Sequence, residues 1–144
     1  MSRGKNARKK GHDLERTRAR FWRALDFPYC RTSRAESRLM DDCGIDITNI
    51  PFFFQCKAGY ENNAPKYEVE FNNIRHNLGE NFPADHEYHN IPIILEWKRD
   101  RSGPKHPEKW TWTMDYITAE NIMTDYYKMK QLLEKNGIEY ETNY

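Results

Sequence analysis

Apolar and polar positions along the chain alternate in two rhythms. Leu14, Arg18, Phe21, Trp22 and Leu25 recur at intervals of three and four, which predicts a first helix from about Lys9 to Asp26-Phe27-Pro28. Short β-compatible runs follow. Residues 28–33 predict a first strand, Ile45-Asp46-Ile47 a second and residues 51–58 a third, with Gly44 and Asn49-Ile50-Pro51 as the turns between them. Val69, Ile74 and Leu78 suggest a second helix over 67–78 after a polar loop at 61–65, and 82–90 reads as loop. Residues 91–97 form the most apolar strand, and 110–116 alternate with period two, joined to it by the Lys-, Pro- and Gly-rich loop 99–108. A last helix over 118–136 takes Thr118 as N-cap, stops before Gly137, and lines up Ile122, Tyr126, Met129 and Leu133.

These elements predict an α/β fold with a mixed central sheet of four or five strands flanked by helices. With 144 residues, one domain over 9–144 is expected, preceded by a flexible basic arm over 1–8. Aromatic residues make up 14% of the chain, which predicts a core built mainly from Phe, Tyr and Trp. No apolar run is long enough to span a membrane and the basic N-terminus has no apolar signal-like segment, so a cytosolic setting is expected. Cys30, Cys43 and Cys56 are then thiols, and no CxxC or HxxxH spacing supports a zinc site.

Charge sharpens the picture. Residues 1–38 hold 12 Lys/Arg against 4 Asp/Glu, and residues 39–144 hold 11 against 18, so a net +1 conceals +8 followed by −7. A concentrated basic segment is an electrostatic footprint for a polyanion, although a solvated tail gives the same composition. Arg8, Lys9, Lys10, Arg31, Ser33, Arg34 and Arg38 supply ammonium, guanidinium and hydroxyl groups of the kind that hold phosphate oxygens.

Chemistry gathers on the second and third strands. Gln55 and Lys57 are two residues apart and share a sheet face, while Cys56 points to the other. Asp46 lies across the hairpin, close enough to Lys57 for a simple cross-strand ion pair, which is the alternative to a site. A carboxylate, an amide oxygen and an ammonium together suit a hard divalent cation beside a phosphodiester. Asp41 and Asp42 flank the same turn. Glu15, on the first helix, either joins this group or pairs with Arg16 or Arg18 on the surface.

Lys9-Lys10-Gly11 with Glu15-Arg16, then Arg31-Thr32-Ser33, Gly44-Ile45-Asp46-Ile47 and Gln55-Cys56-Lys57, resemble the PD-(D/E)xK nuclease superfamily, in particular archaeal-type Holliday junction resolvases. The resemblance covers about residues 8–58. It departs from the resolvases at Gln55, where a Glu is usual, and at Ile45, where a Pro is usual. Asp42-Cys43-Gly44-Ile45-Asp46 with Gln-x-Lys is similar to Mrr-like nucleases of the same superfamily. The resemblance implies a restriction-endonuclease-like fold and a homodimeric DNA endonuclease cutting four-way junctions, with Mg²⁺ or Mn²⁺ as cofactor. It implies Glu15, Asp46, Gln55 and Lys57 as catalytic residues, and Asp46, Gln55, the Cys56 backbone carbonyl and Glu15 as metal donors. Arg31 and Ser33 are then expected near the scissile phosphate.

Overall fold

In the computed structural model, residues 3–59, 64–100, 104–105 and 107–141 are described. Parts of the loops expected at 61–65 and 99–108 therefore lie outside the described residues. The chain divides into two compact units, Met1–Thr113 and Met114–Tyr144, where the sequence predicts a single domain.

In the first unit, helix α1 (Arg3–Ala24) begins inside the stretch expected as an arm. Its Lys, Arg and Ala residues are good helix formers with little rotamer freedom to lose. It ends in a Schellman motif, with Asp26 at φ 77° and the Phe27 amide donating to the Trp22 carbonyl at 3.2 Å, just ahead of Pro28. Strand β1 (Arg31–Thr32) leads into two short helices, α2 (Ser33–Glu36) and α3 (Arg38–Asp42), where the sequence suggests only a polar loop. Ser37 links them, its hydroxyl accepting from the Met40 amide. Strands β2 (Ile47–Thr48) and β3 (Phe53–Ala58) follow, then α4 (Tyr67–Asn81), a 3₁₀ turn over Glu87–Asn90, β4 (Ile93–Arg99) and β5 (Lys109–Thr113).

The five strands form one mixed sheet in the order β1-β2-β3-β4-β5, as in the restriction-endonuclease-like α/β class. All neighbours are antiparallel except β3 and β4, which run parallel with Phe53 opposite Ile93 and Lys57 opposite Trp97. A parallel pair needs a crossover, and α4 with the 3₁₀ turn supplies it. Opposite sheet faces carry separate cores. On one, Trp22 of α1 packs edge-on to Phe54 at 5.8 Å and stacks on Trp112 at 5.9 Å. On the other, Phe53, Ile45, Cys43 and Ile93 pack with Ile74 and Leu78 of α4. Over both faces, isoleucine and leucine share the buried positions with Phe53, Phe54, Trp22 and Trp97, and Tyr29 and Tyr116 stand in solvent, so the expected aromatic dominance is not observed. Nor does the α1 stripe fall as expected: Phe21 and Leu25 are exposed and Ala19 is buried.

The second unit is built on α5 (Tyr116–Lys135). Its N-cap is Asp115, not Thr118: the Asp115 carboxylate accepts from the Thr118 amide at 2.7 Å. Gly137, at φ 64°, closes the helix as the Ile138 amide donates to the Leu133 carbonyl at 3.0 Å. No described helix is long and apolar enough to cross a membrane.

Candidate active site

The path into the site starts at the end of α3. Gly44 adopts φ +82°, and the Ile45 amide donates to the Met40 carbonyl at 3.0 Å, a second Schellman motif that turns the chain into β2. A side chain at position 44 would be strained, and its Cβ would meet Gln55 Nε2 at 3.1 Å. Gly44 therefore both makes the turn and leaves room for Gln55.

Asp46 is fixed on three sides. Its amide donates to the Phe54 carbonyl at 2.8 Å, its carbonyl accepts from the Ser33 amide at 2.9 Å, and its Oδ2 accepts from the Cys56 amide at 2.7 Å. A carboxylate standing in for a strand's hydrogen-bond acceptor cannot swing away without breaking the β2–β3 join. Burial pushes the Asp46 carboxyl up to about 7; the Cys56 amide and Lys57 pull it down, and Glu15 and Asp41 push it further up.

Gln55 is buried on β3, and its Oε1 has no hydrogen-bond partner among the described residues. A buried amide oxygen without a partner is uncommon, because desolvation costs about 1–3 kcal/mol when nothing compensates. Lys57, two residues on, places its Nζ 3.0 Å from Glu70 Oε2 on α4. The alternative reading of an Asp46–Lys57 cross-strand ion pair is not what forms; Lys57 pairs from sheet to helix, while its charge still reaches Asp46. Glu70, in the first turn of α4, carries no signal in the sequence that marks it for this role.

Glu15 is buried at 5% exposure and receives Arg34 Nε on its Oε2 at 3.2 Å, not Arg16 or Arg18. Arg16 pairs with Asp13 instead. Arg34 also lies 3.8 Å from Asp41 Oδ1, which accepts from the Ser33 hydroxyl at 3.4 Å. Burial raises the Glu15 pKa despite the Arg34 charge. Asp42 is exposed and pairs only with Arg38, so of the three aspartates around the turn it is Asp46 that the strands hold in place.

The expected DNA-facing groups divide. Arg8 and Lys9 are exposed on α1, and Arg38 is exposed beside Asp42. Lys10 reaches Asp100 at 2.9 Å. Arg31 Nη1 is turned onto the Cys30 carbonyl at 2.9 Å. Arg34 is spent on Glu15 and Asp41. Ser33 is wholly buried, which corrects its expected place at a DNA contact: its hydroxyl orients Asp41.

Glu96 is a charged group that pattern reading passes over. It lies on β4 at 1% exposure, with Arg18 Nε 2.9 Å from its Oε2 and Trp112 Nε1 donating to the same oxygen at 2.5 Å. The Arg18 N–H is close but poorly aimed, and Glu96 Oε1 has no partner. Its one sequence signal is a lone acid inside Ile-Ile-Leu-Glu-Trp, since a buried carboxylate is rare unless paired.

Among the described residues no three His, Cys, Asp or Glu side chains are grouped to hold a metal ion. A hard cation here would need Asp46 together with the Gln55 amide oxygen and the Cys56 carbonyl, oxygen donors of the kind Mg²⁺ accepts in company with water. The unpartnered Gln55 Oε1 is the observation that favours this set. Among known proteins no relative emerges to name the site: no family model, curated protein or solved structure matches the chain.

Proposed function

We propose that the chain is a metal-dependent, structure-selective DNA endonuclease, and most specifically a Holliday junction resolvase that works as a homodimer. The reading is carried by one observation: a carboxylate locked between two strands and pushed up to about 7 shares its hairpin with a buried amide oxygen that has no partner. A buried carboxylate whose ionised form is disfavoured by burial and by neighbouring carboxylates is one that a divalent cation would stabilise.

Asp46 and Gln55, with the Cys56 carbonyl, would hold Mg²⁺ or Mn²⁺, which when bound lowers the pKa of water and offsets charge on a phosphodiester. Lys57 places a positive charge beside Asp46, where negative charge builds up on the phosphate oxygens. Glu70 holds that ammonium in position. Glu15, braced by Arg34, adds a second buried carboxylate able to accept a proton, its pKa raised by burial. Arg8, Lys9 and Arg38 offer exposed cations for the flanking backbone phosphates.

A four-way junction and a linear duplex of the same sequence, each with and without Mg²⁺, provide the test. Metal-dependent cutting of the junction in preference to the duplex is expected, with loss of at least about a hundredfold in rate in Asp46→Asn and Lys57→Ala. Equal cutting of both substrates would replace the resolvase reading with a general duplex nuclease of the same superfamily. Binding without cutting under all conditions would make the chain a silent DNA-binding protein.

A further inference from the structure

We propose that the groove between α1 and strands β3, β4 and β5 receives one unstacked base of the DNA, with the Trp110 indole as its platform. The groove holds about 270 Å³ and is bounded by Lys10, Asp13 and Thr17 of α1, Ala58 of β3, Lys98 of β4 and Trp110 of β5. Pockets for drug-sized ligands run to about 300–1,000 Å³, so this one suits a single ring system. Trp110 is 41% exposed, yet it is held in place. Its Nε1 donates to Glu108 Oε1 at 2.7 Å, and Lys98 Nζ and Arg18 Cζ lie 5.1 and 5.6 Å from its ring centroid. A half-exposed ring fixed before any ligand arrives loses little side-chain entropy on stacking.

Charge and register select the occupant. Lys10 and Lys98 both turn to Asp100, at 2.9 and 3.9 Å, and Asp13 pairs with Arg16 at 3.6 Å. The ammonium and carboxylate groups of the groove thus match one another, and a phosphate would have to displace Asp100. A neutral ring needs no such exchange: it stacks on the indole, while the Asp13 carboxylate and the Thr17 hydroxyl line the groove for its polar edge. Register puts the groove beside the candidate active site. Ala58 stands opposite Lys98 and Lys98 opposite Trp110, just as Cys56 stands opposite Glu96 and Glu96 opposite Trp112. The platform is therefore one same-face step along the sheet from the row of Cys56, whose amide holds the Asp46 carboxylate. A continuous duplex keeps every base stacked, whereas a branch point with an unpaired base offers one to the groove.

This inference deepens the proposed function and rests on that reading for the identity of the ligand, but it is tested by binding in chelator, with no cutting. Fluorescence anisotropy of the full chain is measured on a four-way junction with a single unpaired base at its branch point and on a fully paired linear duplex. Trp110→Ala should weaken binding of the junction about tenfold and leave the duplex unchanged, whereas Trp110→Phe, which keeps a ring, should lose little. Thr17→Phe, at an exposed position of α1, fills the groove with Trp110 intact and should give the same loss. An iodouracil at the unpaired position should cross-link to Trp110 on irradiation. A junction affinity indifferent to both Trp110→Ala and Thr17→Phe would overturn the proposal, as would equal losses on the two DNAs or a cross-link confined to other residues. A wild-type chain that binds neither DNA would overturn this site and the nuclease together. Binding through Trp110 without any cutting counts against the nuclease alone, and junction cutting at the wild-type rate by Trp110→Ala counts against the base site alone.

Discussion

Asp46 spends folding free energy to stay where it is. Its carboxyl has an ordinary pKa of 3.8, which rises to about 7 in the folded chain, with burial as the main cause. The unfolded chain therefore gives up this proton first. As pH climbs from about 4 to about 7 the group increasingly disfavours the folded state, and above 7 the effect is constant. At about 1.36 kcal/mol per unit the ceiling is about 4 kcal/mol, and partial access to solvent reduces it to about 1–2 kcal/mol. Asp46→Asn keeps an acceptor for the Cys56 amide and removes the titration. In chelator, its stability by urea unfolding should exceed that of wild type at pH 8, with little difference at pH 4; parallel profiles for the two proteins would contradict this account. Asp46, Gln55 and Lys57 were legible in the sequence because a glycine turn and a period of two fix side-chain direction locally. Arg34 as the partner of Glu15 was not, since nothing local in a helix points 19 residues ahead.

At the scale of elements, α1 is held to the sheet by more than its apolar side chains. Arg18 has the spacing of a stripe residue and does turn inward, but it does so to meet Glu96 on β4. The pair is well buried and imperfectly satisfied, and such pairs contribute little net stability while being costly to halve. Arg18→Met alone should cost about 3 kcal/mol by leaving Glu96 uncompensated, and Arg18→Met with Glu96→Met should recover most of it. Denaturation midpoints of the four-member cycle decide this; additive losses would mean that the two side chains act independently. The period of α1 showed that a helix packs here, but not that its buried face includes Ala19 and excludes Phe21 and Leu25, which depends on where Trp22 meets Phe54 and Trp112. Helices α2 and α3 escaped notice because four or five residues are too few to display a helical period.

For the whole molecule, a mixed sheet with flanking helices was legible, because an apolar 91–97 and an alternating 110–116 can hardly be anything but strands. The strand order was not. Which strand lies beside β3 is decided by α4 filling one face of the sheet, and no residue of β4 announces a parallel neighbour. The basic excess of residues 1–38 belongs to α1, β1, α2 and the start of α3, so the charge asymmetry of the sequence becomes an asymmetry between elements of one unit.

The parallel β3–β4 pair also imposes an order in time. The Asp46 and Cys56 halves of the hairpin are near neighbours in the chain and can meet early, whereas Phe53 finds Ile93 only after the α4 crossover has closed a long loop. Once closed, β3 and β4 are the central strands, each paired on both sides, and β1 is a two-residue edge. Amide hydrogen exchange should accordingly be slowest in Phe54, Gln55, Cys56, Ile94 and Leu95 and fastest, among strand residues, in Arg31 and Thr32. Protection of β1 equal to that of β3 would contradict this ranking. The Cys56 amide, bonded to a side chain that titrates, is then a clock with two settings: its protection relative to the intrinsic exchange rate should fall as acid protonates Asp46, while the protection of its neighbours across β4 holds.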